Sequence, residues 1–260
     1  MSDKDVLVIG YPRSGNGYTS RLLGDILNSP VTGIGSAHPI CEEGLDRPGP
    51  YTVRQLHLRP NWTIKSGDAV QNAWTFAPAC YGGEKIVLVI RDPRDVAISA
   101  MHYWGRPSLQ DTLFCMGEGR GPLAGVGSWP AFMDLWFNQF MHNPHFGWIC
   151  AYAVYYESLL SSPVEVLRGL FDSLKLPEED GRLAMALERQ AFDVRKKELA
   201  SSGDRYMYGA DLQVKNLRKG KAGDWKNHFD RETGQQAQLY FGAWLKYFGY
   251  TNDEFWWKKL

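Results

Sequence analysis

The most constraining feature of the sequence is its first apolar run and the glycine-containing turn that follows it. Residues 5–10 read DVLVIG, a short uninterrupted apolar stretch ending at a glycine, as buried strands of parallel sheets do. The turn GYPRSGNGYTS (10–20) leads into residues 17–27, where apolar residues recur at helical spacing. Strand, turn and helix in this order predict a loop whose backbone N–H groups and helix N-terminus face an anion.

The loop resembles a Walker A nucleotide-binding loop in spacing only. Gly10 and Gly15 are separated as in that loop, but Asn16 and Gly17 stand where it has its lysine and its magnesium-binding hydroxyl. Arg13 is the one cation within the turn. The loop therefore suits a phosphate or sulfonate group bound without a metal ion, and a glycine-rich turn that binds no ligand is the alternative.

A second segment places charged residues at the end of another predicted strand, which is expected to lie at the same edge of the sheet as the loop. KIVLVI (85–90) is another buried strand, and it continues into RDPRDVAIS (91–99). Asp92 is expected to cap a helix that begins with Pro93. Arg91 follows the strand end and Ser99 lies about two helical turns later, so both are candidates to contact a phosphate where ligands bind in such folds. An ordinary capped helix with surface charges is the alternative.

A third segment, RKGKAGDWKNHF at 218–229, combines cations with glycines. Arg218 and Lys219 precede Gly220, which permits a close approach between the backbone and a ligand. A solvated basic surface is the default interpretation of a short charge run, but a Gly-Asp-Trp turn is unusual on such a surface. This segment is therefore a third candidate for phosphate binding.

The remaining sequence continues the alternation of strands and helices. ICAYAVYYE (149–157) is a third strand candidate, and a capping box at 162–165 is expected to open a helix that runs to Leu174. The glycine-rich stretch 105–127 is expected to be a mobile loop. Further helices are expected at about 128–142, 178–191 and 231–248. The alternation predicts one α/β domain with a mostly parallel sheet.

Composition excludes several classes of protein. The chain is 44% apolar and 13% aromatic, which excludes a disordered chain. Twenty-nine basic and 29 acidic residues give a formal net charge of zero, which argues against a protein that coats nucleic acid. The N-terminus MSDKDVLVIG does not match a signal peptide and no apolar run is long enough to span a bilayer, so a cytoplasmic protein is expected. No metal site is expected, because no CxxC pair or Cys/His cluster involves the four cysteines, Cys41, Cys80, Cys115 and Cys150.

Together the three segments resemble the motifs of the cytosolic-type sulfotransferases, which move a sulfuryl group from 3′-phosphoadenosine 5′-phosphosulfate (PAPS) to an acceptor. The family's loop reads close to YPKSGTTW, where this chain has YPRSGNGY at 11–18. The family's R-x-x-x-D-V-x-x-S motif is matched by residues 91–99, and its RKGxxGDWKxxF motif is matched at every fixed position by residues 218–229. The resemblance implies a single P-loop-kinase-like domain over 1–260, with a central parallel sheet of about five strands flanked by helices.

The resemblance also implies a role for each matched residue. PAPS would be the co-substrate and adenosine 3′,5′-bisphosphate (PAP) the product, with no metal ion. The 5′-phosphosulfate would lie on Arg13, Ser14, Gly15, Asn16 and Gly17. The 3′-phosphate would lie on Arg91, Ser99, Arg218, Lys219 and Gly220. The adenine would contact Tyr18, Tyr156 and Phe192, and core packing is the alternative for the last two.

The family's chemistry needs a cation near the leaving oxygen and a base for the acceptor proton. Arg13 takes the place of the loop lysine, and Lys65 in WTIKSGDA matches the lysine of the family's K-[TS]-H element. The catalytic histidine would then fall at Gly67, which has no proton acceptor. Either another side chain is the base or the acceptor needs little base assistance. The candidate bases are His57, His38 and Asp68, and His57 is ranked first.

The acceptor is expected to be a small molecule with a reactive hydroxyl or nitrogen, and a bacterial natural-product pathway is the preferred setting. Its pocket would be formed by segments 33–60 and 105–127, including His38, and by Tyr103, Trp104 and Trp129. Neither nucleic acid nor a membrane is expected as a partner. The family's C-terminal dimer signature would begin at Lys226, but Asp230, Arg231 and Gln235 occupy its other fixed positions. A monomer, or a dimer formed in another way, is therefore expected.

Two alternative functions remain open at this point. The first is an ATP-dependent P-loop kinase, against which the missing Gly-Lys-Ser/Thr sequence argues. The second is a non-catalytic nucleotide-binding protein, which the glycine at the expected position of the catalytic histidine favours.

Overall fold

The computed structural model describes residues 4–33, 43–57, 59–60, 75–76, 85–141, 150–178, 181–201 and 219–260. Its main sheet contains, in chain order, β1 (Asp5–Gly10), β2 (Val31–Gly33), β3 (Thr52–Leu56), β6 (Lys85–Ile90) and β7 (Cys150–Tyr155). β4 (Arg59–Pro60) and β5 (Thr75–Phe76) form a separate parallel pair. The five main strands are all parallel and lie in the order β2-β3-β1-β6-β7, so the predicted parallel sheet of about five strands is confirmed.

The strand order places a ligand-binding position beside β1. This strand pairs with β3 on one side and with β6 on the other. The strands that follow β1 in the chain, β2 and β3, lie on one side of it, and the later strands β6 and β7 lie on the other side. In parallel α/β sheets such a reversal opens a crevice at the carboxyl ends of the strands. Here that crevice lies where β1 ends at Gly10 and β6 ends at Ile90.

Helices cover both faces of the sheet. In chain order the helices begin with α1 (Asn16–Ile26), α2 (Pro93–Trp104), α3 (Leu109–Glu118) and α4 (Trp129–Met133). A π-helical segment (Asp134–Met141) continues α4. Those that follow are α5 (Tyr156–Ser161), α6 (Pro163–Leu174), α7 (Arg182–Arg189), α8 (Phe192–Ser201) and α9 (Arg231–Tyr247). Short 3₁₀ turns lie at Gly121–Leu123, Asp224–Asn227 and Trp256–Lys259. Within the described ranges, no helix has the length and apolar character to cross a membrane.

The two faces of the central strands enter two separate cores. On β1, Leu7 and Ile9 belong to a core shared with α2, α3, α4 and α9, whereas Val6 and Val8 belong to a core shared with α1, α6 and α7. Both faces of β1 are fully buried, which explains why its sequence is continuously apolar rather than alternating. The assignment of all 260 residues to a single domain stays a prediction.

The start of α2 confirms a sequence prediction in atomic detail. Asp92 accepts a hydrogen bond from the backbone N–H of Arg94 at 2.9 Å, and Pro93 is the first helical residue. At α6, in contrast, the helix begins as expected at Pro163, but the side chain of Ser162 makes no capping hydrogen bond. The prediction of a capping box at 162–165 is therefore wrong, although the predicted helix is present.

The prediction of a loop over residues 105–127 is wrong, because α3 occupies its centre. Ser108 caps this helix by accepting from the N–H of Asp111 at 3.1 Å. Leu109, Leu113 and Met116 follow at the spacing of one helix face and are buried in the core. The glycines that suggested a loop include Gly105 and Gly119, which end α2 and α3 in left-handed conformations.

Candidate functional site

The loop after β1 has an unusual backbone. Arg13 adopts a φ of 74° and Gly15 a φ of 104°, both in the left-handed region that non-glycine residues seldom enter. The helix α1 begins directly afterwards at Asn16, and no side chain caps its N-terminus. The first N–H groups of the helix therefore remain available to an anion, as the sequence predicted.

Gly15 is required because a tyrosine ring covers it. A Cβ atom at this position would lie 2.4 Å from the ring of Tyr156, which is the first residue of α5. Tyr18 approaches the same ring edge-on, with 6.4 Å between the ring centroids. Burial raises the pKa of both phenols above the usual value. The structure thus places Tyr18 and Tyr156 together beside the loop.

Two guanidinium groups meet at this loop, and each lies on a tyrosine ring. Arg91, directly after β6, donates a hydrogen bond to the backbone carbonyl of Arg13 at 3.0 Å, and its guanidinium lies 4.6 Å from the Tyr156 ring centroid. Arg13 donates from Nε to Ser99 Oγ at 3.2 Å, and its guanidinium lies 4.3 Å from the Tyr103 ring centroid. The cation–π contacts and hydrogen bonds hold both cations in fixed orientations.

Buried hydrogen-bond donors at this point have no partner within the described part of the chain. They are the Oγ atom of Ser14 and the Nε atom of Arg91. Residue Ser14 is 0% exposed, and residue Arg91 is 8% exposed. Leaving a buried donor unpaired costs about 1–3 kcal/mol, so native proteins seldom do so without a ligand. Two cations, unpaired donors and a helix N-terminus together fit a bound phosphate or phosphosulfate.

The third segment is attached to this site through Asp95, on the first turn of α2. The buried carboxylate of Asp95 accepts from the N–H of Gly223 at 2.6 Å and from the N–H of Trp225 at 2.9 Å. Burial raises the pKa of Asp95, while the charge of Arg91 and the two N–H groups act in the opposite direction. The Gly-Asp-Trp turn is therefore held by the first turn of α2, which begins two residues after Arg91. Sequence analysis did not single out Asp95, although it is a fixed position of the second motif.

A cation–π stack strengthens the same attachment. The guanidinium of Arg94 lies 3.8 Å from the Trp225 ring centroid and 4.6 Å from that of Trp256. Its other side is held by Asp92, to which it donates at 2.7 and 2.9 Å. Arg94 is buried, so it supports the turn from behind.

Lys219 and Gly220 lie at the start of the last described range. Gly220 has a φ of +61°, and a Cβ atom there would lie 2.6 Å from the ring of Phe192 at the start of α8. Lys219 pairs with Asp224 at 2.8 Å and is 44% exposed. The structure thus brings Phe192 against Gly220, and the roles assigned to these residues stay predictions. Arg218 lies outside the described residues.

His57 lies at the end of β3, next to the loop. Its Nδ1 atom is 2.8 Å from the carbonyl oxygen of Gly10 and 2.9 Å from Nδ2 of Asn16. Gln55 reaches the loop as well, because its Oε1 lies 3.3 Å from the position of a Cβ on Gly17. Gln55, Leu56 and His57 repeat the spacing of the K-[TS]-H element, with glutamine in place of lysine.

That spacing offers a second placement of the element, and the placement at Lys65 to Gly67 stays a prediction. Sequence analysis placed it at Lys65 to Gly67 and considered Asp68 and His38 as substitutes for the missing histidine; all of these lie outside the described residues. The missed signal was β3 itself, a short strand whose only buried residues are Val53 and Leu56. Its pattern is too weak to identify from sequence alone.

The residues expected around an acceptor have different surroundings. Tyr103 lies on Arg13 and is half-buried, and Trp104 is half-buried against the core that contains α2. Trp129 is 0% exposed and packs edge-on against Phe241 and Phe248, at centroid distances of 5.6 and 6.3 Å. The prediction that Trp129 lines a pocket is therefore wrong, because its ring is enclosed in the aromatic core.

No group of three or more His, Cys, Asp or Glu side chains is arranged to hold a metal ion in the portion of the molecule that the structure describes. Cys115, on α3, is a buried free thiol in the core.

The comparisons with known proteins agree with this geometry. A family model described as "Sulfotransferase domain" matches residues 82–249. Rat sulfotransferase 2A1 is 25% identical over 258 residues, covering 92% of this chain and 83% of the relative. Rat sulfotransferase 2A2 is 29% identical over 172 residues, covering 60% of this chain and 53% of the relative.

Solved structures give the same fold. The crystal structure of mouse sulfotransferase SULT7A1 complexed with PAP superposes with a TM-score of 0.67 at 18% identity, covering 100% of this chain and 90% of that one. Retinol dehydratase in complex with androsterone and inactive cofactor PAP superposes with a TM-score of 0.61 at 18% identity, covering 95% and 82%.

Proposed function

This chain belongs to the sulfotransferase domain family, and from that premise we propose that it is an enzyme that transfers the sulfuryl group of PAPS to a small-molecule acceptor. The other product is PAP. The acceptor atom is a hydroxyl oxygen or a nitrogen that loses a proton when its bond to sulfur forms.

One observation carries the proposal: the donors of Ser14 and Arg91, which lack a partner among the described residues, lie near the N-terminus of α1, which no side chain caps, at the crevice beside β1. A nucleotide with a phosphosulfate at one end and a phosphate at the other offers the anions that these donors need. Asn16 and Gly17 occupy the two positions after Gly15 where a Walker A loop has its lysine and its magnesium-binding hydroxyl. This difference favours PAPS over a magnesium-bound nucleoside triphosphate.

Each part of the nucleotide is assigned to residues of this chain. The loop Arg13, Ser14, Gly15, Asn16 and Gly17 holds the 5′-phosphosulfate. Arg91, Ser99, Arg218, Lys219 and Gly220 hold the 3′-phosphate. Tyr18, Tyr156 and Phe192 contact the adenine, a flat ring system that stacks favourably on aromatic side chains. The hydrogen bond between Arg13 and Ser99 joins the first two groups, so both ends of the nucleotide are held by one connected set of side chains.

In the chemical step the acceptor attacks sulfur, and the bond from sulfur to the bridging phosphate oxygen breaks. Negative charge develops on that oxygen, where the permanently charged guanidinium of Arg13 stabilises it more than it stabilises the ground state. His57 takes the proton that the acceptor loses, which makes it the general base. PAPS supplies only the transferred group.

The acceptor is a small molecule that enters next to Arg13. Tyr103 and Trp104, at the end of α2, are proposed to contact it, and the guanidinium of Arg13 over the Tyr103 ring supports this for Tyr103. Tyr103 contacts the guanidinium of Arg13, the cation proposed to act at the reacting group, so its substitution is expected to alter acceptor KM and kcat together.

Ligand-induced thermal stabilisation tests the choice of nucleotide. PAP is expected to raise Tm in proportion to its binding free energy, whereas ATP with magnesium should raise it little. Arg91→Ala should abolish the PAP shift. Arg106→Ala, which removes a partly exposed cation paired with Asp111 away from the loop, should preserve it. A shift with ATP and magnesium but none with PAP would contradict the proposal and favour a kinase.

A further inference from the structure

We propose that Arg21, on the second turn of α1, is a further cation of the nucleotide site and binds the 5′-phosphosulfate through the Nη groups of its guanidinium. Arg21 lies outside the three segments that match the family's motifs, at 11–18, 91–99 and 218–229, and sequence analysis did not single it out. The inference rests on the proposed function for the identity of the ligand, and it adds a binding residue to that site.

Arg21 is a buried cation whose charge is not balanced by the acidic side chains around it. The residue is 8% exposed. Within the described ranges no carboxylate pairs with it: Asp25, one turn later on α1, pairs instead with Arg47 and, at 3.2 Å, with Arg189. A buried charge without a partner is strongly unfavourable, so proteins match such a charge with another charge or with a ligand.

Gln190, between α7 and α8, holds the guanidinium in one orientation. Arg21 donates from Nε to Oε1 of Gln190 at 3.0 Å, and Gln190 donates from Nε2 to Oδ2 of Asp25 at 2.6 Å. An ionised carboxylate only accepts hydrogen bonds, so the amide of Gln190 cannot be reversed and its oxygen faces Arg21. Because Nε is used in this bond, the two Nη groups are the donors that Arg21 offers to a ligand.

The guanidinium reaches the loop at Gly17. The Nη1 atom of Arg21 lies 3.3 Å from the position that a Cβ atom on Gly17 would occupy, and Oε1 of Gln55 lies 3.3 Å from the same position. Gly17 is one of the residues assigned to the 5′-phosphosulfate, and its lack of a side chain makes room for both groups. Burial and the neighbouring Tyr156 raise the pKa of Tyr18, while the charge of Arg21 acts in the opposite direction. Arg21 therefore lies within electrostatic reach of the proposed nucleotide site.

At this position α1 supplies a charge that β3 does not. Gln55, on β3, is uncharged and stands where the spacing of the K-[TS]-H element has its lysine. Arg21 brings a permanent positive charge to the same side of Gly17 and presents its N–H groups as a planar fork, which matches the oxygens of a phosphate or sulfuryl group. The phosphosulfate is then the counter-charge of the buried arginine.

A ligand without the 5′ group tests the assignment. PAP carries a 3′-phosphate and a 5′-phosphate, whereas adenosine 3′-monophosphate carries only the first. Titration calorimetry should show that Arg21→Gln weakens PAP binding by about tenfold or more and changes the affinity for adenosine 3′-monophosphate by less than about twofold. Arg54→Gln is the matched control, because it removes a partly buried arginine that pairs with Asp5 at 2.8 Å, and it should leave the ratio of the two affinities unchanged. Equal losses for both ligands in Arg21→Gln, or no loss for either, would overturn the proposal.

Moving the charge from α1 to β3 separates a binding role from a structural one. Gln55→Lys in the Arg21→Gln background places a cation on the same side of Gly17, and it should restore PAP affinity to within about threefold of wild type. A double variant that binds PAP no better than Arg21→Gln would overturn the proposal. If Arg21→Gln does not fold, Arg21→Met keeps an unbranched buried side chain without the charge, and the same loss of PAP affinity is expected.

Inorganic pyrophosphate separates this inference from the proposed function. A wild-type protein whose Tm rises with pyrophosphate but not with PAP would refute the function, and a smaller pyrophosphate shift in Arg21→Gln would still support the contact between Arg21 and the anion. A protein that binds PAP equally well with and without Arg21 would refute the role of Arg21 alone.

Discussion

Gly15 links the backbone conformation of the loop to its aromatic neighbour. Its φ of +104° is unfavourable for any other residue, and its Cα faces the ring of Tyr156. Both constraints act on the residue just before α1, where the N–H groups proposed to face the anion begin. Backbone strain and anion binding are therefore expected to respond together to a substitution here.

We predict that Gly15→Ala destabilises the fold by more than about 1 kcal/mol and weakens PAP binding by at least about tenfold. Titration calorimetry and urea unfolding would measure the two effects. Gly181→Ala is the control, because its φ is +84° but a Cβ there meets nothing within 4 Å. It should lose stability to backbone strain and keep the affinity for PAP. Equal affinities in the two variants would show that the contact with Tyr156 does not shape the site.

The residues proposed for the site show which of them sequence reasoning can identify and which it cannot. The loop residues and Arg91 follow from glycine spacing and strand ends, and the structure brings them together. His57 was ranked first among the candidate bases, and the match of Lys65 to the family's K-[TS]-H element stays a prediction. The strand β3 was not predicted, because it is short and only weakly apolar. Only the pairing of β3 with β1 shows that residues 55–57 end beside the loop.

At the scale of elements, the first turn of α2 is the junction of the second and third motifs. Asp95 holds two N–H groups of the Gly-Asp-Trp turn, and Arg94 stacks on the tryptophan of that turn. These contacts explain why the aspartate and the Gly-Asp-Trp sequence occur together in one chain. Lys219 and Gly220 precede the turn, so its position also determines theirs.

We predict that Asp95→Ala lowers the free energy of unfolding by about 1–3 kcal/mol, since two buried N–H groups lose their acceptor. PAP affinity should fall by about tenfold or more, because the segment proposed to hold the 3′-phosphate loses its support. Asp111→Ala is the control: it removes a partly exposed carboxylate from the first turn of α3. A loss of stability with unchanged PAP affinity would show that the turn is not part of the nucleotide site.

Helix ends were predicted with mixed success for a physical reason. At α9, Asp230 and Thr233 cap each other's backbone N–H groups, a box that sequence analysis missed because threonine replaces the usual glutamate. At α3, a dense set of glycines concealed an apolar helix face. Local signals of capping and turns are short, and burial against the rest of the molecule decides between them.

At the scale of the whole molecule, Glu157 joins three distant parts of the chain. It accepts a hydrogen bond from the N–H of Asp92, after β6, at 2.9 Å and from the hydroxyl of Tyr250, after α9, at 3.0 Å. Burial raises the pKa of Glu157 above its usual 4.5, although both hydrogen bonds favour the ionised form. The folded protein therefore holds this proton more tightly than the unfolded chain does.

This shift makes stability depend on pH with a definite sign. A carboxyl whose pKa is raised by folding contributes its full stability below the unfolded value of 4.5 and loses it as pH rises through the folded pKa. Glu157→Gln lacks this titration, so its free energy of unfolding should improve relative to wild type between about pH 4 and pH 8. Urea unfolding at both pH values measures the difference. Glu254→Gln, at an exposed pair with Lys246, should show no such trend; the same trend there would contradict the role of burial.

The neutral net charge of the chain conceals a local concentration of cations. Arg13 and Arg91 meet at one loop, while Arg94 is neutralised by Asp92 a few residues away. Composition could exclude a nucleic-acid coat but could not locate this charge, because the cations come from segments far apart in sequence.

The most direct test of the central claim is turnover of PAPS by the purified protein with a panel of hydroxyl and amine acceptors, followed by mass spectrometry. We predict products that gain one sulfuryl group, release of PAP, and a fall in kcat of about 10²–10⁴ in His57→Gln with PAP affinity retained. Phosphorylated products formed from ATP, or full PAPS turnover by His57→Gln, would contradict the account.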